Sequence, residues 1–287
     1  PTDTPFMSSI GKEKAEGTLH EWQTDALAAA ATNAQVEGDE IAFTAVVPTS
    51  RINNRTQISR KSVIVSGTQD TVNTAGRNQE LAYQISKNAK ELKRDMELVL
   101  CNNQSAAVGG AAAARTSSGL ASWIQTNINA IGANGAIGGV DTPGILRTNG
   151  TQRAFTEAQL KGVAASCWNS GGDPSMIMLG SFNKQKLSGF TGGSTKMTQA
   201  DDKKLVAAID IYESDFGSMT VVPNRFSRSR DVFVLQPDMW AVAYLRDFQM
   251  IDLAKTGDAE KKAMLAEYTL VAKNEAANGA IFDLTTA

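Results

Sequence analysis

Over Asn78–Asn103 the apolar residues Leu81, Ile85, Ala89, Leu92, Met96 and Val99 recur every three or four positions, which is the period of an α-helix with one buried stripe. The opposite face carries Lys87, Lys90, Glu91, Lys93, Arg94, Asp95 and Glu97 and reads as solvated, with support from pairs such as Glu91 with Arg94. At 1.5 Å per residue such a helix is a rod of roughly 37 Å, long enough to span a whole domain. The rest of the chain has to be read around it.

Before the rod lie two different patterns. Residues 1–34 mix Pro, Ser, Gly and polar residues with the isolated anchors Phe6, Ile10, Leu19 and Trp22, and read as an extended arm. Over 35–67, Ile41, Phe43, Ala45 and Val47 alternate with other residues up to Pro48, and Ile58 with the run Val63, Ile64, Val65 favours a returning strand. The polar tip of this hairpin is expected at Thr49–Thr56, centred on Arg51, Ile52, Asn53, Asn54 and Arg55. Two strands cannot bury both faces, so the hairpin needs a partner surface. Deleting Arg51–Arg55 is then expected to leave the subunit folded.

After the rod, which closes a segment spanning 68–103, residues 104–150 hold nine Gly, ten Ala and only Arg115, Asp141 and Arg147 as charges. That composition reads as a flexible insertion, with a short amphipathic piece around Leu120–Ile128 docking locally. From Thr151 the pattern is mixed α/β. A helix over Thr156–Asn169 starts at the N-cap candidate Thr156, Gly171 to Pro174 turn the chain, and Met176–Leu179 form a strand. A second short helix is expected after Ser181. Further strands are expected at Val206–Tyr212, Met219–Val222, Asp231–Gln236, Phe248–Leu253 and Ala263–Lys273, the last two forming a long hairpin across Thr256, Gly257 and Asp258.

Charge and composition narrow the function classes. With 28 Lys and Arg against 30 Asp and Glu the net charge is −2, which argues against a surface that generally coats nucleic acid. The 42% apolar content fits a globular chain. Cys101 and Cys167 match no zinc or redox spacing and read as reduced thiols. No run approaches the ~20 apolar residues that cross a bilayer, and no basic-then-apolar export signal opens the sequence. The expectation is a protein with no membrane contact.

Chemistry is sparse. His20 is the one histidine, which rules out a multi-histidine metal site, and its ring is expected to lie partly buried near Trp22. Gly132, Gly135, Gly138 and Gly139 lack the strand and helix of a dinucleotide loop. Gly192, Gly193, Ser194, Thr195 and Lys196 lack the residue order of a phosphate loop. Asp201 and Asp202, followed by Lys203 and Lys204, read as a solvated or intersubunit face. Arg225, Arg228 and Arg230 form a basic cluster that could face DNA phosphates or a neighbour's acids, and the near-neutral balance favours the neighbour. No catalytic residue, cofactor site or metal site is expected.

Several ordered blocks go further than composition. Thr4–Lys12 (TPFMSSIGK), Thr18–Asp25 (TLHEWQTD), Ile58–Gln69 (ISRKSVIVSGTQ), Ala75–Gln84 (AGRNQELAYQ), Glu91–Glu97 (ELKRDME), Asn149–Glu157 (NGTQRAFTE), Asp238–Arg246 (DMWAVAYLR) and Leu253–Lys261 (LAKTGDAEK) resemble a family of tailed-phage major capsid proteins. The resemblance covers nearly the whole chain and is weakest in the Gly/Ala insertion.

It implies an α+β fold of the Hong Kong 97 phage capsid type, with an N-terminal arm (1–34), an extended loop that is a long β-hairpin (35–67), a peripheral domain with a long spine helix (68–103), the insertion (104–150), an axial α/β domain (151–244) and peripheral return strands (245–287). It implies a virion capsid protein that assembles in the bacterial host cytoplasm, as pentamers and hexamers, into an icosahedral shell around double-stranded DNA. Its partners would be other copies of itself, a portal, decoration or scaffolding proteins, and DNA through non-specific contact. Gly192, Gly193, Lys196, Asp201 and Asp202 would then lie on a loop at the capsomer axis. An encapsulin-like compartment shell is the alternative within the fold, and a soluble α/β enzyme the alternative outside it. No signature of a Lys–Asn crosslink is present.

Overall fold

A computed structural model of the chain describes residues 3–41, 43–46, 48–72, 80–132, 144, 146–190 and 210–286. Its axis is helix α3 (below), and the segments before it are not all arm. They form α1 (Pro5–Ser9), β1 (Gly11–Lys14), β2 (Leu19–Thr24), β3 (Ser50–Arg55), β4 (Gln57–Ser66) and α2 (Gly67–Thr71). The expected rod is α3 (Glu80–Cys101), with positions 78 and 79 outside the described residues. Then follow α4 (Leu120–Trp123), β5 (Asn127–Asn129), α5 (Glu157–Asn169), β6 (Met176–Leu179), α6 (Ser181–Ser188), β7 (Ile211–Ser214), β8 (Gly217–Pro223), β9 (Val232–Leu235), β10 (Trp240–Asp252), β11 (Ala259–Ala272) and β12 (Gly279–Ile281).

Two sheets share the core. One has the order β1-β10-β11-β4, the other β5-β12-β9-β6-β8-β7, and β2 pairs separately with β3. The long hairpin is β10 with β11, antiparallel from Trp240↔Ala272 to Asp252↔Lys262, with register shifts around Arg246. Its turn contains Gly257 at φ +81°, a conformation that costs glycine little. β4 borders β11 from Gln57↔Tyr268 to Ser66↔Ala259.

The period of two explains how β6 and β9 can be buried on both faces. Met176, Met178, Phe233 and Leu235 enter the core that holds Leu92, Met96 and Leu100 of α3. Ile177, Leu179, Val232 and Val234 enter a second core under Leu160, Val163 and Cys167 of α5. As the sequence leads one to expect, α5 is capped by Thr156, which accepts from the Gln159 N–H while the Gln159 side chain returns to the Thr156 N–H.

Three segmental expectations need correction. The stretch read as an arm is woven into the subunit as far as Thr24: Phe6 is fully buried edge-on to Trp240 at 6.3 Å, and β1 runs parallel to β10 with Gly11 beside Ala241. Part of the Gly/Ala stretch belongs to the core, because Leu120, Trp123 and Ile124 are buried and Gly119 lets α4 meet the end of α3, where a Cβ would sit 2.2 Å from the Asn102 carbonyl oxygen. Finally, the chain does not end in the long hairpin's sheet. β12 crosses to the six-stranded sheet, antiparallel to β9 and parallel to β5.

Candidate functional site

The feature that stands apart from this packing is the segment between β2 and β3. From Asp25 to Thr49 the described residues form no helix or strand and are exposed. Leu27 is 100% exposed, Phe43 95% and Val46 94%, with Val36 and Ile41 also largely in solvent. The segment carries Asp25, Glu37, Asp39 and Glu40 and no Lys, Arg or His. It reverses at Gly38, whose φ is +82°, where the Asp39 N–H donates to the Val36 carbonyl at 3.2 Å. Large apolar side chains standing together in water mark an interaction surface.

The overhang is rooted firmly. β2 pairs antiparallel with β3 from Leu19↔Arg55 to Thr24↔Ser50. Trp22 donates its Nε1–H to the Ala272 carbonyl at 2.8 Å and its ring lies 5.6 Å from that of Trp123. Asn54 is fully buried: its Nδ2 donates to the carbonyls of Leu270 (2.7 Å) and Ser118 (3.3 Å), and its Oδ1 accepts the Ser118 N–H at 2.9 Å. Beside it, the buried Glu267 accepts from Thr56 at 2.9 Å and pairs with Arg246 at 2.8 Å and with Arg115.

The hairpin tip is therefore misplaced in the sequence reading. Arg51, Ile52, Asn53, Asn54 and Arg55 form β3, at the root, and Asn53 and Asn54 are buried. The polarity that marked these residues as a tip serves hydrogen bonds inside the subunit. The projecting turn is Val36–Asp39, and the strand expected over Ile41–Val47 has no strand partner within the described residues.

The arginine cluster is also largely internal. Arg228 lies 3.0 Å from Asp231 and donates to Asn149 at 2.6 Å, and Arg230 lies 3.1 Å from Asp283 and donates to the Gly150 carbonyl at 2.7 Å. Arg147 joins them, its guanidinium 3.6 Å from the Phe282 ring centroid. Two of the three residues expected to face DNA or a neighbour thus face acids of their own chain, while Arg225 is exposed. Burial pushes the Asp231 carboxyl up to about 7 although Arg228 opposes the shift. Asp283 is also buried, which by itself raises its carboxyl, but the N–H groups of Gly132, Gly150 and Ile131 and the charge of Arg147 bring it below the ordinary value.

Gly192, Gly193, Lys196, Asp201 and Asp202 lie outside the described residues, as do Gly135, Gly138 and Gly139. His20 sits on β2 with its ring 5.7 Å from Trp22, and burial lowers its pKa. Cys101 and Cys167 are free and buried, and burial raises both thiols, Cys167 to about 12. Among the described residues no group of three His, Cys, Asp or Glu is placed to hold a metal ion.

Sequence reasoning missed Glu97, assigned to the solvated face of the rod. It is fully buried, accepting the N–H groups of Phe6 (2.8 Å) and Met7 (2.9 Å) and the Asn224 amide (2.7 Å). The available signal was Leu100 and Cys101, which continue the apolar surface around that side of the helix end.

Solved capsids share this architecture. The capsid of a native GTA particle matches with a TM-score of 0.65 at 10% identity, over 99% of this chain and 91% of that one. A chain of Gordonia phage Cozz matches with 0.63 at 11%, over 99% and 87%. The capsid asymmetric unit of Cyanophage A-1(L) matches with 0.60 at 12%, over 100% and 94%. The fold is thus that of the Hong Kong 97 class of shell proteins, to which a large unpartnered overhang is suited.

Sequence comparison sharpens the class. The major capsid protein of Escherichia phage Phieco32 is 30% identical over 317 residues, 98% of this chain and 90% of that protein. The profile of the SU10 major capsid protein family matches residues 1–285, and the chain belongs to that family. It is a structural protein of a phage capsid and not an enzyme.

Proposed function

We propose that the subunit assembles as pentamers and hexamers into an icosahedral shell around double-stranded DNA, each overhang at residues 25–49 becoming ordered across another copy. The exposed apolar side chains Leu27, Phe43 and Val46 support this reading, since burying each on a neighbour gains roughly 1.5–3 kcal/mol. Each junction is modest, but a subunit held by several neighbours stays tethered when one contact opens.

In this reading the loop with Gly192, Gly193, Lys196, Asp201 and Asp202 lines the capsomer axis, and Arg225 contributes an exposed charge at a subunit or DNA boundary. A portal, decoration or scaffolding proteins complete the particle, which forms in the host cytoplasm, and DNA is met without sequence preference.

Electron microscopy of concentrated purified protein tests the proposal: wild type gives closed particles. A variant in which a short Gly/Ser linker replaces residues 27–47 stays folded and monomeric. Particles of normal size and yield from that variant would overturn the role of the overhang.

A further inference from the structure

A groove of about 1260 Å³ lies between α1, β1, α3 and the middle of β10. Its apolar lining includes Met7, Tyr244 and Phe248, and its rim carries Lys12, Lys14, Lys90 and Lys93, all exposed. Most of the acids in the groove are already committed: Glu13 pairs with Lys273 at 2.7 Å and Asp3 with Arg94 at 2.8 Å, which leaves Asp247. None of the four lysines is bridged to an acid among the described residues, and Lys93 stands 5.7 Å over the Phe248 ring. Along one side runs β1, an outer strand of its sheet.

The overhang is complementary on each count. It is wholly acidic in its charges, with Glu37, Asp39 and Glu40 gathered at its turn. It offers Ile41 and Phe43 in strand alternation, a pattern the subunit itself leaves unpaired. An extended segment beside an open sheet edge can add backbone pairing to apolar and charged contacts.

The subunit's own overhang leaves in the wrong direction to fill this groove. Leu19 starts β2 next to Arg55, near the level of Tyr244 and Tyr268, and Trp22 is bonded to Ala272, opposite Trp240. β2 therefore runs toward the Trp240 end and away from Phe248, which lies eight residues, or roughly 26 Å, further along β10.

Resting on the assembly reading above, we infer that this groove receives the overhang of a second copy, with Glu37, Asp39 and Glu40 meeting Lys12, Lys90 and Lys93 and residues 41–46 lying beside β1. Complementary charge then selects the partner surface and speeds docking, while the apolar side chains supply the burial.

Charge exchange in the full chain tests the pairing. The groove variant Lys12→Glu/Lys90→Glu/Lys93→Glu and the overhang variant Glu37→Lys/Asp39→Lys/Glu40→Lys are each expected to reduce particle yield about tenfold or more, and the chain carrying all six changes to recover it. Circular dichroism and sedimentation confirm folded subunits in each case. Normal particle yield from the groove variant, while the 27–47 replacement still blocks assembly, overturns the groove assignment and leaves the assembly role standing. Full particles that have lost DNA make the groove a nucleic-acid surface and also overturn it. Two impaired variants with no recovery in the combined chain overturn the pairing as well.

Discussion

Phe6 donates its backbone N–H to the Glu97 carboxylate at 2.8 Å, across 91 residues of chain. With Met7 and Asn224 on the same group, one buried side chain ties α1, α3 and the segment after β8 together. Glu97→Leu leaves three buried donors without an acceptor, at about 1–3 kcal/mol each. The expected outcome is a loss of about 3 kcal/mol or more in urea unfolding, with faster hydrogen exchange at Phe6 and Met7. An unchanged midpoint would remove Glu97 from this role.

The Asp231 and Asp283 carboxyls respond to pH in opposite senses. Asp231 is raised, so its contribution is fully present below the ordinary carboxylate pKa of 3.8 and is lost as pH rises through about 7. Asp283 is lowered, so its contribution is present above the ordinary value and is lost as pH falls through the depressed one. Between pH 5 and pH 8 only the first varies. Urea unfolding is expected to show stability falling over that interval, and falling less in Asp231→Asn. An equal fall in the variant counts against Asp231 as its source.

Asn54 separates the root of the overhang from the overhang. Asn54→Asp sets a carboxylate against the Leu270 and Ser118 carbonyls, at a cost of about 3 kcal/mol or more. For the same reason, deleting Arg51–Arg55 removes β3 and is now expected to unfold the subunit, whereas replacing residues 27–47 leaves its melting temperature nearly unchanged. Calorimetry on the three variants ranks them, and a folded Arg51–Arg55 deletion would contradict the placement of β3.

At Gly119 the reason is space. The nearest backbone oxygens would lie 2.2 and 2.9 Å from a Cβ, those of Asn102 and Val99. Gly119→Ala should cost about 1–3 kcal/mol by forcing α4 away from α3. A melting temperature equal to that of wild type would show that the two elements can part freely.

The sequence was most informative where one element makes its own pattern. The stripe of α3, the Thr156 cap, the double-faced runs of β6 and β9 and the β10–β11 turn were all legible, because each follows from local period or turn chemistry. What escaped depended on partners far away in the chain. Asn53 and Asn54 looked like a polar tip because nothing local announces that Leu270 and Ser118 will satisfy Asn54. Glu97 looked solvated because its donors lie some 90 residues upstream. Low apolar content hid the docking of Leu120–Ile124, where small neighbours allow close approach. The alternation over Ile41–Val47 was correctly seen as strand-like, but within one subunit there is no strand to meet it.

The register shifts of β10 on β11, between Tyr244 and Arg246 and again between Arg246 and Gln249, fall where the hairpin passes from the buried half to the exposed half. Irregular pairing of this kind bends a strand and increases its twist. In the proposed shell, five-fold and six-fold surroundings ask identical chains to meet at unequal angles. A flexure placed at mid-hairpin lets the outer part tilt while the inner part keeps its packing, so one gene product can suit both surroundings.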